Sequence, residues 1–136
     1  MFKTVLYPVD RSREAQEAAA VVADIVKRYG SHLVILSVLE EAEPEEGAPG
    51  HPTMSHDAIA ELLKKAKAVF AQQGIEAETM ERKGKPAFVI CDIADEIEAN
   101  LIVMGSRGLG LTDEGASESI TSLVANLSPC PVLIVP

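Results

Sequence analysis

The sequence predicts a single α/β domain: an open, doubly wound parallel five-stranded sheet in the order 3-2-1-4-5, with helices on both faces. Three observations carry that expectation. Short uncharged runs rich in β-branched residues, such as His32 to Leu39 (HLVILSVL) and Leu101 to Gly105 (LIVMG), suit strands covered on both faces. Between them lie longer segments whose apolar residues recur at helical spacing, and strands alternating with helices pair in parallel through right-handed crossovers. A chain of 136 residues with 47% hydrophobic and 24% charged content buries one core and is too short for two domains.

Lys3 to Val9 (KTVLYPV) reads as the first strand, with Pro8 at or near its end because proline has no backbone N–H for the ladder. Asp10 follows at the carboxyl end. Ser12 can cap a helix whose inward residues are Ala15, Ala18, Ala19, Val22, Ile25, Val26 and Tyr29, and Gly30 supplies its stop. His32 to Leu39 is the second strand, with His32 a surface residue at its start. Glu40 to Asp57 then breaks the composition, with six acids, three prolines, two glycines and no Lys or Arg. Such a segment cannot form a core and is expected to be a mobile loop near the carboxyl end of the sheet. Its His51, His56 and Asp57 do not read as a metal site, since a proline-bearing loop without supporting ligands rarely holds one.

Ser55 opens a second helix with Ile59, Leu62, Leu63, Ala66 and Phe70 on one face, Gly74 at its end, and Lys64, Lys65 and Lys67 as a solvated face. Ile75 to Arg82 (IEAETMER) is the least apolar strand, which places it at a sheet edge, where charge discourages edge-to-edge association. Gly84, Lys85 and Pro86 turn into a third helix with Pro near its first position. Its buried stripe is Ala87, Ile90, Ile93, Ala94 and Ile97, and Asn100 ends it. The last helix turns Ile120, Leu123, Val124 and Leu127 inward; Pro129 stops it, and PVLIV closes the sheet.

The stretch from Leu101 to Thr121 carries the chemistry. Gly105, Gly108 and Gly110 let a ligand approach the main chain, and the free N–H groups of the following helix start attract an anion. Two familiar phosphate motifs fail here. A Walker A loop needs Lys where Leu111 stands, and the dinucleotide fingerprint needs a third glycine where Asp113 stands. In the order 3-2-1-4-5, Asp10 and Gly105 lie on either side of the reversal point, where open parallel sheets bind ligands outside the carboxyl ends. A carboxylate at Asp10 can accept hydrogen bonds from a ribose or adenine, and a helix cap explains it equally.

These residues resemble the universal stress proteins. That family's signature is Gly, two residues, Gly, nine residues, Gly, then Ser or Thr, after a strand like LIVMG and before a Pro-Cys-Pro-Val strand. Gly105 and Gly108 fill the first two positions, Ser119 the last, and SPCPVLIVP closes the chain, so the likeness spans essentially its whole length. Glu118 occupies the third glycine position.

The resemblance implies a Rossmann-like sheet of the adenine nucleotide alpha hydrolase-like type and a stress-response regulator that binds ATP or AMP. Carried over by position, Val9, Asp10 and Val38 meet base and ribose, Met104 and Gly105 line the crevice, and Arg107, Gly108, Ser119, Ile120 and Thr121 surround the phosphates. Glu118 opposes phosphate by charge, or binds it through magnesium, a hard cation that takes carboxylate and phosphate oxygens together. The family also implies a homodimer through the C-terminal strand. The competing reading is a dimeric protein-interaction module, with a partner still to be identified, whose nucleotide site has degenerated.

Composition removes other classes. A net charge of -9 and a pI near 4.7 exclude the basic stripe of a nucleic-acid surface. No run reaches the length of a membrane span, and MFKTVLYPVD enters a strand without the regions of a signal peptide, so a cytoplasmic location is expected. Cys91 and Cys130 read as small buried hydrophobes rather than a disulfide or metal pair. Nucleotidyl transferases on related sheets carry His-x-Gly-His or Ser-Gly-Gly-x-Asp-Ser after the first strand. Here Asp10-Arg11-Ser12-Arg13 stands instead, no His falls in the crevice to activate a serine, and the chain is read as a binding protein rather than an enzyme.

Overall fold

The structure is a computed structural model that describes residues 1–9, 13–39, 56–105 and 120–136, the side chains of 13–16 and 56 excepted. Along the chain come β1 (Thr4–Pro8), α1 (Arg13–Tyr29), β2 (His32–Leu39), α2 (His56–Ala71), β3 (Ala77–Lys83), α3 (Pro86–Glu96), β4 (Leu101–Gly105), α4 (Ile120–Leu127) and β5 (Val132–Val135). All strand pairs are parallel, as the alternation of periods predicts, and the order is the expected β3-β2-β1-β4-β5.

The near-continuous apolar strands divide their residues between two cores, because successive side chains leave opposite faces of a strand. Val5, Tyr7, Val9, Leu33, Ile35, Leu101 and Val103 meet Ala18, Val22 and Val26 of α1 and Ile59, Leu63 and Phe70 of α2. On the other face Leu6, Val34, Leu36, Ile102 and Met104 meet Ala87, Ile90, Cys91, Ile93 and Ala94 of α3 and Val124 of α4. Each large apolar side chain fully withdrawn from water stabilises the domain by about 1.5–3 kcal/mol, so both faces are needed to offset chain entropy.

Several expectations change in detail. Tyr29 and Leu127 are both 48% exposed, because each sits at the last residue of its helix, beyond the strand it covers. Thr121 is buried in place of Leu127, and Cys91 in place of the half-buried Ile97. His56 and Asp57 already belong to α2; the rest of the acidic stretch, and Ser12 and Ser55 as caps, lie outside the described residues.

Asn100 does not end α3, which stops at Glu96. Its Oδ1 accepts the Thr4 N–H at 2.9 Å, and its own N–H donates to the Thr4 carbonyl at 2.8 Å. The Ser31 hydroxyl donates to the Phe2 carbonyl, and the His32 N–H to the Lys3 carbonyl at 2.7 Å. The amino end of the sheet is therefore tied on both sides of β1.

Three helices end with a left-handed residue: Gly30 (φ 61) after α1, Gly74 (φ 78) after α2 and Glu98 (φ 55) after α3. After α2, the Gly74 N–H reaches the Ala71 carbonyl and the Ile75 N–H the Phe70 carbonyl, both at 3.0 Å. After α3 the same pair of bonds runs from Glu98 to Asp95 at 3.2 Å and from Ala99 to Ala94 at 2.8 Å. These are the two bonds of a Schellman cap, and only in α3 does a residue with a Cβ hold the left-handed position. Glu98→Gly removes the steric penalty of roughly 1–2 kcal/mol at some entropic cost, and is expected to stabilise the domain by about 0.5–1 kcal/mol. A rise in the urea midpoint at unchanged slope checks it.

Candidate functional site

At the carboxyl end of the sheet β1 and β4 part company. β1 follows β2 over five residue pairs, from Thr4↔His32 to Pro8↔Leu36, and the Val9 N–H continues to the Leu36 carbonyl at 2.8 Å. β4 follows β5 to its last residue, Gly105↔Val135. Between β1 and β4 only Val5↔Leu101 and Leu6↔Ile102 are in register.

Proline chemistry explains the split. Successive backbone N–H groups of a strand point to opposite neighbours, and that of Val9 points to β2. The next β1 donor toward β4 after Leu6 would be residue 8, and Pro8 has none. Continuing the register sets Val9 level with Gly105 across the opening.

Around that opening, Val9 is 6% exposed, Met104 and Gly105 are buried, and Val38 is half-buried at the carboxyl end of β2. Strand alternation turns Val9 toward α1 and α2, and turns Met104 and Val38 toward α3 and α4. Thr121 is 7% exposed, and its Oγ1 lies 3.5 Å from the Gly105 carbonyl, a long contact that sets the first turn of α4 over the end of β4. The half-buried Ile120 precedes it. The unpaired main-chain N–H groups of a helix start favour negative charge near them. Asp10, Arg107, Gly108 and Ser119, with Glu118, lie outside the described residues.

Ser37 was not singled out by sequence reasoning. It is a buried polar residue, 2% exposed, next to Val38 and on the opposite face of β2. The signal was a single hydroxyl inside HLVILSVL, which propensity alone does not separate from ordinary strand content.

Both thiols are pushed above the ordinary cysteine range. Burial pushes Cys91 up, with the Asp92 carboxylate and the nearby Cys130 adding to the shift. Burial also raises Cys130, partly offset by the Ser128 hydroxyl 3.7 Å from its sulfur. Thiols held protonated in this way behave as small hydrophobes. Among the described residues no group of three His, Cys, Asp or Glu is placed to hold a metal. No helix among them is long and apolar enough to cross a membrane.

The arrangement is an opening between the carboxyl ends of β1 and β4, with apolar side chains on both faces of the sheet beside it. Comparison with known proteins agrees in architecture. Universal stress protein Sll1654 of Synechocystis sp. is 58% identical over all of this chain and 87% of its own length. A universal stress protein crystallised in complex with cAMP superposes with a TM-score of 0.79 at 23% identity, covering 99% of this chain and 97% of its own. The universal stress protein from Archaeoglobus fulgidus in complex with dAMP gives 0.72 at 22% identity, covering 100% and 98%. The model of the universal stress protein family matches residues 1–136, and the chain belongs to that family.

Proposed function

We propose that this chain is a stress-response regulator of the cytoplasm that binds an adenine nucleotide between β1 and β4 and acts through its bound state rather than by turnover. The observation that carries this reading is the parting of β1 and β4 at Pro8, which leaves a slot level with Val9 and Gly105. Val9, Asp10 and Val38 hold the base and ribose, and Met104 and Gly105 line the slot. Arg107, Gly108, Ser119, Ile120 and Thr121 face the phosphates. The complexes of relatives with cAMP and dAMP support an adenine ligand.

Glu118 makes the phosphate end selective. Together with Asp113 and Glu114 it sets three carboxylates against Arg107, so affinity falls as phosphates are added and AMP or adenosine is preferred to ATP. Mass spectrometry of small molecules released by heat identifies the resident nucleotide. Calorimetry with adenosine, AMP and ATP then ranks them, and tight ATP binding without metal would refute the selectivity. Magnesium that rescues ATP binding assigns Glu118 to a metal instead.

A second reading is favoured by β5, an edge strand with Leu133 and Ile134 about 38% and 39% exposed. An apolar edge needs a cover, and the chain pairs it with its own copy, giving a homodimer that presents a surface to a protein partner whether or not the crevice is filled. Leu133→Lys is expected to yield a monomeric mass by light scattering at micromolar concentration. A variant that stays fully dimeric removes the assignment of β5.

A further inference from the structure

The edge of the sheet away from β5 carries a second feature. β3 pairs with β2 over seven residues, from Leu33↔Ala77 to Leu39↔Lys83, and no other described strand lies on its far side. Beside it runs a groove of about 400 Å³ between β3 and α2, lined by Ala60, Leu63, Lys64, Lys67, Thr79 and Glu81.

We propose that this groove and edge form a docking site for an extended acidic peptide segment of a partner protein, which adds to β3 as a sixth strand and sets two carboxylates on Lys64 and Lys67. Charge is the first argument. The chain has 21 acids against 12 basic residues, yet among the described residues no carboxylate pairs with Lys64 or Lys67. Both are exposed at the groove, and Lys85 follows the end of β3, whose own charged residues are Glu78, Glu81, Arg82 and Lys83. Glu81 is the acid that lines the groove itself.

Spacing is the second argument. Lys64 and Lys67 are three apart on α2, which puts their Cβ atoms about 5–6 Å from one another. Side chains two apart on one face of a strand stand about 6.8 Å apart, so glutamates at alternate positions of an added strand meet the two lysines in step. The edge main chain of β3 supplies hydrogen bonds that a free anion cannot use, and Leu63, 6% exposed, with Ala60 gives the intervening floor an apolar surface. A strand of about 23 Å matches the seven residues of β3.

The test uses the full chain and a fluorescein-labelled octapeptide alternating glutamate with threonine, followed by anisotropy in about 50 mM salt. Saturable binding is expected, weakened about tenfold or more by Lys64→Glu with Lys67→Glu and unchanged by Lys27→Glu on α1. The lysines are solvent-exposed, so both variants should keep the parent melting curve. A peptide of the same sequence N-methylated at every residue has no N–H to donate to β3 and should bind at least fivefold more weakly. Equal binding by the charge-reversed protein, equal binding of the N-methylated peptide, or no saturation by millimolar peptide would each overturn the proposal.

Discussion

Glu118→Gly is expected to tighten ATP binding by about one to two decades while leaving adenosine binding nearly unchanged. In the glycine signature that this sequence resembles, Glu118 stands at the third glycine position, and the proposed site sets it near the phosphates. A carboxylate about 5 Å from a phosphate charge opposes it by roughly 1 to 3 kcal/mol at effective dielectrics between those of a protein surface and water. That energy corresponds to the stated change in affinity. Salt discriminates between causes: repulsion is screened, so the gain on substitution should shrink between about 50 and 500 mM salt. Calorimetric titration of both proteins with adenosine, AMP and ATP, with and without magnesium, checks the prediction. A variant that binds ATP no better than the parent would end the charge argument.

The largest effect on stability is expected at Phe70→Ala, about 3–5 kcal/mol. Phe70 is 1% exposed on α2, and its ring meets Tyr7 of β1 edge-on, with centroids 5.9 Å apart and planes at 87°. Truncation loses the ring's transfer energy and leaves a cavity between α2 and the sheet, lined by groups already at native density. Tyr7, 2% exposed, loses its edge-to-face partner as well. For a chain of this length the loss amounts to a melting temperature lower by about 10 °C or more. Val69→Ala, one residue away on the exposed face at 46%, should change stability by less than about 0.5 kcal/mol. Urea unfolding of both variants at one protein concentration measures the contrast and keeps any dimer contribution constant.

Much of this fold could be read from residue order. HLVILSVL and LIVMG have no polar alternation, which requires cover on both faces, and the helical stripes between them supply that cover; parallel pairing follows from that alternation together with crossover handedness, and the β3-β2-β1-β4-β5 order is the expected one among those this alternation allows. The polar strand Ala77–Lys83 lies at the edge because its charges could not be buried twice. The placement of Val9 and Gly105 at carboxyl strand ends was legible for the same reason, since strand ends can be counted along a chain.

Direction and partnership could not be counted. That Pro8 withholds its missing donor from β4 rather than β2 depends on which neighbour each N–H faces, and only the assembled sheet fixes that. Asn100 binds Thr4 across 96 residues of sequence, a pairing no local pattern encodes. Thr121 turns inward and Leu127 outward because a short helix covers only as much of the strand as its docking angle allows, and periodicity gives a face without an angle. Lys64 and Lys67 read as a solvated face along the helix, and it is the distance to β3, set by how Leu63 and Phe70 pack, that makes them the rim of a groove. Sequence periodicity thus determined which surfaces must be buried, whereas the relative positions of those surfaces came from close packing, which joins residues far apart in the chain.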